Sequence, residues 1–425
     1  MTVELRTDGQ IQPREPSGVG VWLQRVRPAS LIIHRWVGLF MAVFLTVAGL
    51  TGSLLAFYTD LDAALNPELL RADPPTPGAQ LLDPLVLREE LLEQLPAGTA
   101  VQGVMLRMKP NRSVSYWIDE RETFVDPYTG ALLGSRKFGD LSEGKKNVMT
   151  FLYEFHFSLA LGEVGTVLFG VVALLWTFDC FIGAYLTLPP QRARQAGAKR
   201  KSWFSRWLPA WLLKTNKLFT LVFTWHRASG LWVWGFLLVF AWSGVALNLR
   251  QVYEPVMSTV VGKGPAFETE HLPTPKPEPK IALREALAIG RTLMAAESKQ
   301  RGFEILSESG LHYEPEHGAY MYSVDSSLDV DTRLGETTVT FDGDDGHQQL
   351  FAAAGTSTRG IIDQWLIGLH FGAVRLGGIA YRAFVSVLGL GVAILSITGV
   401  WIWLRKRGKK PLDKSLGPTR GATQG

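Results

Sequence analysis

The sequence has a single cysteine, Cys180, among its 425 residues. One cysteine excludes a disulfide within the chain and provides no set of thiolates for an iron–sulfur cluster. The sequence also lacks a glycine-rich dinucleotide fingerprint and a phosphate-binding loop, so a flavin, nicotinamide or nucleotide site is not expected. Nucleic acid is not expected as a partner. Any redox chemistry must therefore use another cofactor.

Apolar residues are abundant instead. They make up 47% of the chain, 14 residues are Trp, and the charged residues stand in blocks. A helix needs roughly 20 residues to cross a hydrocarbon core about 30 Å thick. Four segments are long and apolar enough, and we expect the second and fourth to protrude from the bilayer. These predicted spans are residues 31–58, 148–188, 217–249 and 362–404.

The charged blocks predict the orientation of these spans. Residues 191–217 include eight basic and no acidic side chains, and the tail from Arg405 has seven basic residues against Asp413. Because cytoplasmic loops are rich in Lys and Arg, both termini and the central loop are expected in the cytoplasm. The predicted parts outside the spans are an N-terminal arm 1–30, outer segments 59–147 and 250–361, a cytoplasmic loop 189–216 and a cytoplasmic tail 405–425.

The two halves of the chain repeat each other. Shifting the sequence by 192 positions aligns residues 34–55 with residues 226–247, with nine identities in 22 positions. The later spans correspond as well, with His156-Phe157 matching His370-Phe371 and the triplet from Gly183 matching that from Gly399. Each half therefore reads as a helix, an outer segment and a second helix, which predicts a helical bundle with an internal two-fold repeat.

Each outer segment is predicted to fold as a small α+β domain, with one helix on an antiparallel sheet. In the first, a helical pattern covers 84–95, short β-rich runs cover 101–108, 114–118 and 123–125, and a hairpin turn covers 126–130. In the second, the corresponding pattern is a helix at 281–296, β-rich runs at 303–307, 319–324 and 336–341, and a turn at 342–346. In both segments the helix comes first, the β-rich runs follow and the turn comes last.

Four of the eight histidines stand at or near the openings of the apolar segments, namely His34, His156, His226 and His370. The topology places the equivalent residues His34 and His226 toward the cytoplasm, and His156 and His370 toward the outside. Equivalent residues of a two-fold bundle approach each other at its axis, and two facing imidazoles are what a b-type haem needs as axial ligands. The pattern predicts two haem b groups, one at each face.

Other residues are candidates for contact with these haems. Gly38 and Gly230 stand four residues after a histidine, on the same helical face, and remove bulk where a macrocycle needs room. Arg35, Arg227 and Arg375 are candidate partners of the haem propionates, although contact with lipid phosphates is an equal alternative. This set completes the predicted cofactor-binding residues.

Three other readings remain open. A histidine at a helix end often only makes a hydrogen bond at the membrane interface, and a bare zinc or copper ion would want three or four converging ligands. Asp179, inside the second span, is either a proton or haem partner or a hydrogen-bonded structural residue. His312 and His317 in the second outer segment are either substrate or metal contacts or solvated surface residues.

The sequence resembles a known family in three motifs. These are the His-Arg-x-x-Gly-Leu openings at 34–39 and 226–231, Val-Asp-Pro-Tyr-Thr-Gly-Ala-Leu-Leu-Gly at 125–134, and Leu-Ser-Ile-Thr-Gly-Val-Trp-Ile-Trp-Leu at 395–404. They are similar to those of the PepSY-associated transmembrane proteins. The resemblance implies PepSY-like outer domains and transmembrane histidines at the four positions above. The second outer segment departs from the family pattern, because an acidic loop stands where the hairpin is expected.

The resemblance also implies a function. Many members are iron-regulated proteins of the bacterial inner membrane, and some are siderophore reductases that bind haem b. We therefore expect a haem oxidoreductase that takes electrons from a cytoplasmic donor to a periplasmic acceptor such as a ferric siderophore, for iron uptake. The alternatives are a non-enzymatic module whose outer domains bind peptides or proteases, and a metal-ion transporter.

Overall fold

A computed structural model describes residues 18–190, 202–266, 269–330, 337–375 and 377–407. Residues 1–17 of the predicted arm, residues 191–201 of the cytoplasmic loop and the tail beyond residue 407 lie outside the described residues. The chain divides into two compact units. The first unit takes its described residues from Met1–Val43, Trp176–Trp234 and Leu395–Gly425, and the second from Phe44–Leu175 and Gly235–Ile394. Each unit draws on both halves of the repeat.

Helices dominate the described residues. They are α1 (Gly18–Leu55), α2 (Tyr58–Leu65), α3 (Pro67–Leu70), α4 (Pro84–Glu93), α5 (Val148–Ser158), α6 (Gly162–Thr187), α7 (Trp203–Trp207), α8 (Leu218–Trp232), α9 (Trp234–Asn248), α10 (Arg250–Val260), α11 (Leu283–Arg301), α12 (Thr358–Phe371) and α13 (Gly378–Arg407).

Three of these helices are long and apolar enough to span a membrane. They are α1 over Val26–Leu55, α6 and α13, with mean hydropathies of 2.0, 2.1 and 2.2. The pair α8 and α9 meets the same criterion together, but the two helices are bent by 70°. Large apolar side chains such as Val43, Val164 and Ile379 are 69–75% exposed, as expected for surfaces that contact lipid. The protein is therefore a multi-pass membrane protein, with a fourth span if the bent pair is one.

The two longest predicted spans are each broken into a short helix and a spanning helix. After α5, Leu159 and Ala160 adopt φ angles of 53° and 54°, and after α12, Gly372 adopts a φ of 71°. A residue in the left-handed region ends an α-helix, because it cannot continue the right-handed backbone. His156 and His370 consequently lie in the last turns of α5 and α12 and not in the spanning helices.

Among the described residues of the outer segments, eight strands form two antiparallel sheets. They are β1 (Gly103–Met105), β2 (Val114–Ile118), β3 (Arg121–Val125), β4 (Leu132–Lys137), β5 (Ile305–Glu314), β6 (Ala319–Ser326), β7 (Thr337–Asp342) and β8 (Gln348–Ala352). The strand orders are β2-β3-β4 and β1-β5-β6-β7-β8. The sequence pattern did not predict β4 and β8.

The outer segments share a sheet and a core, whereas we expected a separate domain from each. Strand β1 of the first segment pairs with β5 of the second, with Val104 opposite Leu311. Leu85 of α4 and Val104 also join the buried cluster between α11 and the five-stranded sheet. Pairing of edge strands satisfies backbone N–H and C=O groups that could otherwise form hydrogen bonds with strands of other chains.

The two hairpins have the same turn, and the expected departure in the second segment does not occur. In the first, the Asp126 carboxylate accepts hydrogen bonds from the amides of Tyr128 and Thr129, and the Gly130 amide donates to the Asp126 carbonyl. Asp342 makes the equivalent bonds in the acidic loop, with Gly346 at the same φ of 73° as Gly130. The acidic residues there fit a turn that needs only the first Asp and the last Gly.

Candidate functional site

The first histidine pair, His34 and His226, lies within the first unit. His34 is on α1 and His226 is on α8, and their ring centroids are 6.5 Å apart with the planes inclined at 58°. Both side chains are half-buried. The repeat therefore places the equivalent imidazoles against each other.

A hydrogen bond on Nδ1 orients each ring of this pair. His34 Nδ1 lies 2.9 and 3.0 Å from the two carboxylate oxygens of Asp179, which is on α6. His226 Nδ1 lies 3.1 Å from the Leu395 carbonyl oxygen and 3.0 Å from Thr398 Oγ1, both on α13. Because the bond on one ring nitrogen fixes the role of the other, Nε2 is the nitrogen suited to bind a metal in both rings.

The second histidine pair, His156 and His370, lies within the second unit. Its ring centroids are 6.4 Å apart and its planes are inclined at 75°. His156 Nδ1 is 2.8 Å from Thr51 Oγ1, and His370 Nδ1 is 2.5 Å from Ser243 Oγ. These hydroxyl groups stand at equivalent positions of the repeat, so the two halves support their histidines in the same way.

The spacing of both pairs fits one iron between two imidazoles. A bond from a metal to an imidazole nitrogen is about 2 Å long, so two rings on opposite sides of one metal have centres roughly 6 Å apart. The observed separations of 6.4 and 6.5 Å agree with this value. Hydrogen bonds on the far side of ligating imidazoles are the usual means of orienting them. The residues present therefore fit axial ligation of haem in both pairs.

Several glycines lie one helical turn from the histidines or pack against their rings. A Cβ atom added at Gly38 would meet nothing within 4 Å, and one at Gly230 would meet only the tip of Leu395, at 3.9 Å. Three other glycines contact the rings directly. A Cβ at Gly52 would lie 3.0 Å from the His156 ring, one at Gly183 would lie 3.6 Å from His34 and one at Gly399 would lie 3.3 Å from His226.

The three arginines predicted to contact propionates differ in their surroundings. Arg35 is exposed. Arg227 donates to the carbonyl oxygens of Pro209 and Ala210, and so holds the loop before α8. Arg375 is ion-paired with the Asp325 carboxylate at 2.5 Å and also donates to the Asp329 carbonyl. Arg227 and Arg375 therefore have protein partners of their own.

The remaining candidate residues do not form a metal-binding cluster in the part of the chain that the structure describes. Among the described residues, no group of three His, Cys, Asp or Glu side chains is arranged to hold a metal ion. His312 Nε2 lies 3.2 Å from the Glu314 carboxylate, and the centroid of the His317 ring lies 4.3 Å from that of His271, with the planes inclined at 37°. Asp179, left open between two roles, contacts His34 directly.

The comparison with protein families covers most of the chain. The profile of the PepSY-associated TM region matches residues 31–406. The chain belongs to the PepSY-associated transmembrane family. The match includes both histidine pairs and both outer segments. No curated protein matches the sequence.

Sequence reasoning singled out the histidines and Asp179, but not the hydroxyl groups that hold the other rings. Thr51 and Ser243 lie seventeen residues after His34 and His226, respectively, and the same alignment that revealed the repeat places these hydroxyls opposite each other. Gly183 and Gly399 were aligned as well, without an assigned role. The signal was therefore present in the repeat, but only the three-dimensional packing relates each group to a ring.

Proposed function

We propose that this protein is a haem b oxidoreductase of the bacterial inner membrane that passes electrons to an acceptor outside the cytoplasm. The observation that carries the proposal is the arrangement of four imidazoles as two facing pairs, 6.4 and 6.5 Å apart, with Nδ1 of every ring hydrogen-bonded. A histidine with only a structural role does not need a second histidine ring 6.4 or 6.5 Å away.

The protein's own residues have distinct roles in this proposal. His34 with His226 would hold one haem, and His156 with His370 would hold a second. When bound, haem supplies one-electron transfer between its ferric and ferrous states. Asp179, Thr51 and Ser243 would hold ligand rings in one orientation, so that little rearrangement accompanies a change of charge.

The charge distribution supports an outward direction. The basic loop and tail favour a cytoplasmic location for both termini. The donor would then be a cytoplasmic protein or a diffusible reductant, because the sequence has no nucleotide fingerprint to bind one of its own. The outer sheets would receive the acceptor.

A ferric siderophore is the acceptor we propose, with iron uptake as the purpose. One electron converts the bound Fe(III) to Fe(II), and hard oxygen ligands hold the ion of lower charge far less tightly. The product is therefore free Fe(II) and an empty siderophore. The family resemblance is the reason for choosing this acceptor over other periplasmic oxidants.

The absorption spectrum of the purified protein tests the proposal. Protein expressed with a supply of haem should show b-type bands that sharpen when dithionite is added, with two haems per chain. A variant with all four ligand histidines changed to alanine should show none, although circular dichroism should report the same helix content. Wild-type protein without haem absorbance would overturn the proposal and leave the non-enzymatic module.

Gly38→Leu tests whether the space at Gly38, one helical turn after His34, is used. Because a Cβ at Gly38 meets nothing within 4 Å, the variant should fold with unchanged helix content. It should nevertheless lose one of the two haems, since the added side chain would occupy the space needed by a macrocycle. Val43→Phe, which also adds four carbon atoms, at a 69% exposed position of the same helix, should keep both. Two haems in Gly38→Leu would place the macrocycle elsewhere.

A further inference from the structure

The two halves of the repeat differ at a position that contacts a histidine. Gly183 and Gly399 correspond, and four residues before them stand Asp179 and Leu395. The Asp179 carboxylate receives the hydrogen bond of His34, whereas the Leu395 position offers His226 only its backbone carbonyl oxygen, together with the Thr398 hydroxyl. In the first pair, one histidine is therefore hydrogen-bonded to an anionic group and the other to neutral groups.

In the second pair, each histidine is hydrogen-bonded to a neutral hydroxyl group. Thr51 Oγ1 donates its proton to the Val47 carbonyl, at 2.7 Å, and Ser243 Oγ donates to the Val239 carbonyl, also at 2.7 Å. Each hydroxyl is therefore available to accept from the Nδ1–H of its histidine. The asymmetry between Asp179 and Leu395 thus becomes a difference between the two pairs.

An anionic acceptor changes the ligand that it supports. Asp179 is only 8% exposed, so water screens its charge poorly. A carboxylate that draws the Nδ1 proton toward itself makes Nε2 a stronger electron donor. A stronger donor, and a nearby negative charge, stabilise ferric iron relative to ferrous iron. A neutral hydroxyl or carbonyl has a much weaker effect of the same kind.

We propose that Asp179 is a positioning residue that lowers the reduction potential of the haem held by His34 and His226 below that of the haem held by His156 and His370. This inference rests on the proposed function. Electrons that enter at the first pair would then pass downhill to the second pair, which the orientation places toward the outside. The difference between Asp179 and Leu395 would thus give the carrier a direction.

Potentiometric measurement on the Asp179→Asn variant tests the inference. Asparagine keeps the shape and the acceptor oxygen but removes the charge. One haem should become at least tenfold easier to reduce, which corresponds to a rise of about 59 mV for a one-electron couple, and the other should not change. Thr398→Val is the matched control, because it removes a neutral acceptor from His226 while the Leu395 carbonyl remains, and it should shift neither potential by as much.

A second measurement does not depend on the stability of that variant. The His156→Ala protein should retain only the haem of the first pair, and this haem should have the lower of the two wild-type potentials. If it has the higher one, or if Asp179→Asn leaves both potentials unchanged, the inference is wrong and the haem-binding function stands. If wild-type protein binds no haem, the proposed function itself fails.

Discussion

Alanine at His34 and alanine at His226 are each expected to remove the same one of two haems. The rings lie 6.5 Å apart in one unit, so either change leaves a single axial imidazole, and a b-type haem has no covalent link to retain it. Haem content should fall from two to one per chain in each variant, and the same wave should disappear from the potentiometric curve. The double variant should have the same haem content and the same potentiometric curve as either single variant.

The second histidine pair provides the complementary result. His156→Ala and His370→Ala should each remove the other haem, because their rings are 6.4 Å apart. His271→Ala is a control outside both pairs, since its ring contacts His317 in the second outer segment, and it should keep two haems. If His34→Ala and His226→Ala removed different haems, the pairing across the repeat would be wrong.

The repeat explains how much of the fold was predictable. It defined a helix, an outer segment and a helix in each half, and the matching turns at Asp126 and Asp342 extend this equivalence into the outer segments. The pairing of β1 with β5 was not predictable. Alternation of apolar residues predicts that a segment is a strand, but it does not say which of several distant strands will lie beside it.

The helix breaks show a second limit. Gly372 is a common residue for a left-handed helix end, and its position could have been recognised. Leu159 and Ala160 adopt the same backbone region without a glycine, and long apolar runs on either side predict an uninterrupted helix. The bend between α8 and α9 likewise follows no proline. Tertiary packing decides such points, and local propensity does not.

The candidate site was predictable to the level of which residues meet. Equivalent positions of a two-fold repeat approach each other, so the histidine pairs follow from the alignment alone. The polar partners do not, because Asp179 and Thr51 reach their rings from neighbouring helices. Arg375 illustrates the reverse case, since its ion pair with Asp325 depends on a strand that sequence reasoning could not place beside it.

The largest effect on stability is expected from Arg136, the most buried cation of the small sheet. Its side chain is 1% exposed, and it is ion-paired at 2.8 Å with both Asp62 and Glu122. Burial alone would lower the pKa of Arg136, but the hydrogen bond to Asp62 and the charge of Glu122 raise it instead. The guanidinium therefore stays charged and links α2 to β3 and β4.

Arg136→Met should destabilise the outer region by about 3–5 kcal/mol, because it leaves the buried Asp62 carboxylate and the half-buried Glu122 carboxylate without their cation. The expected measurements are a lower Tm in detergent and faster hydrogen exchange in β2, β3 and β4.

Arg121→Ala is the matched control on the same sheet. Its partner Glu143 and the Arg121 side chain are 21% and 36% exposed, so its loss should cost about 1 kcal/mol or less. Adding Asp62→Leu to Arg136→Met should restore part of the stability, since it removes one of the unpaired charges. Equal effects of Arg136→Met and Arg121→Ala would contradict the assignment of this buried ion pair as the main link between α2 and the sheet.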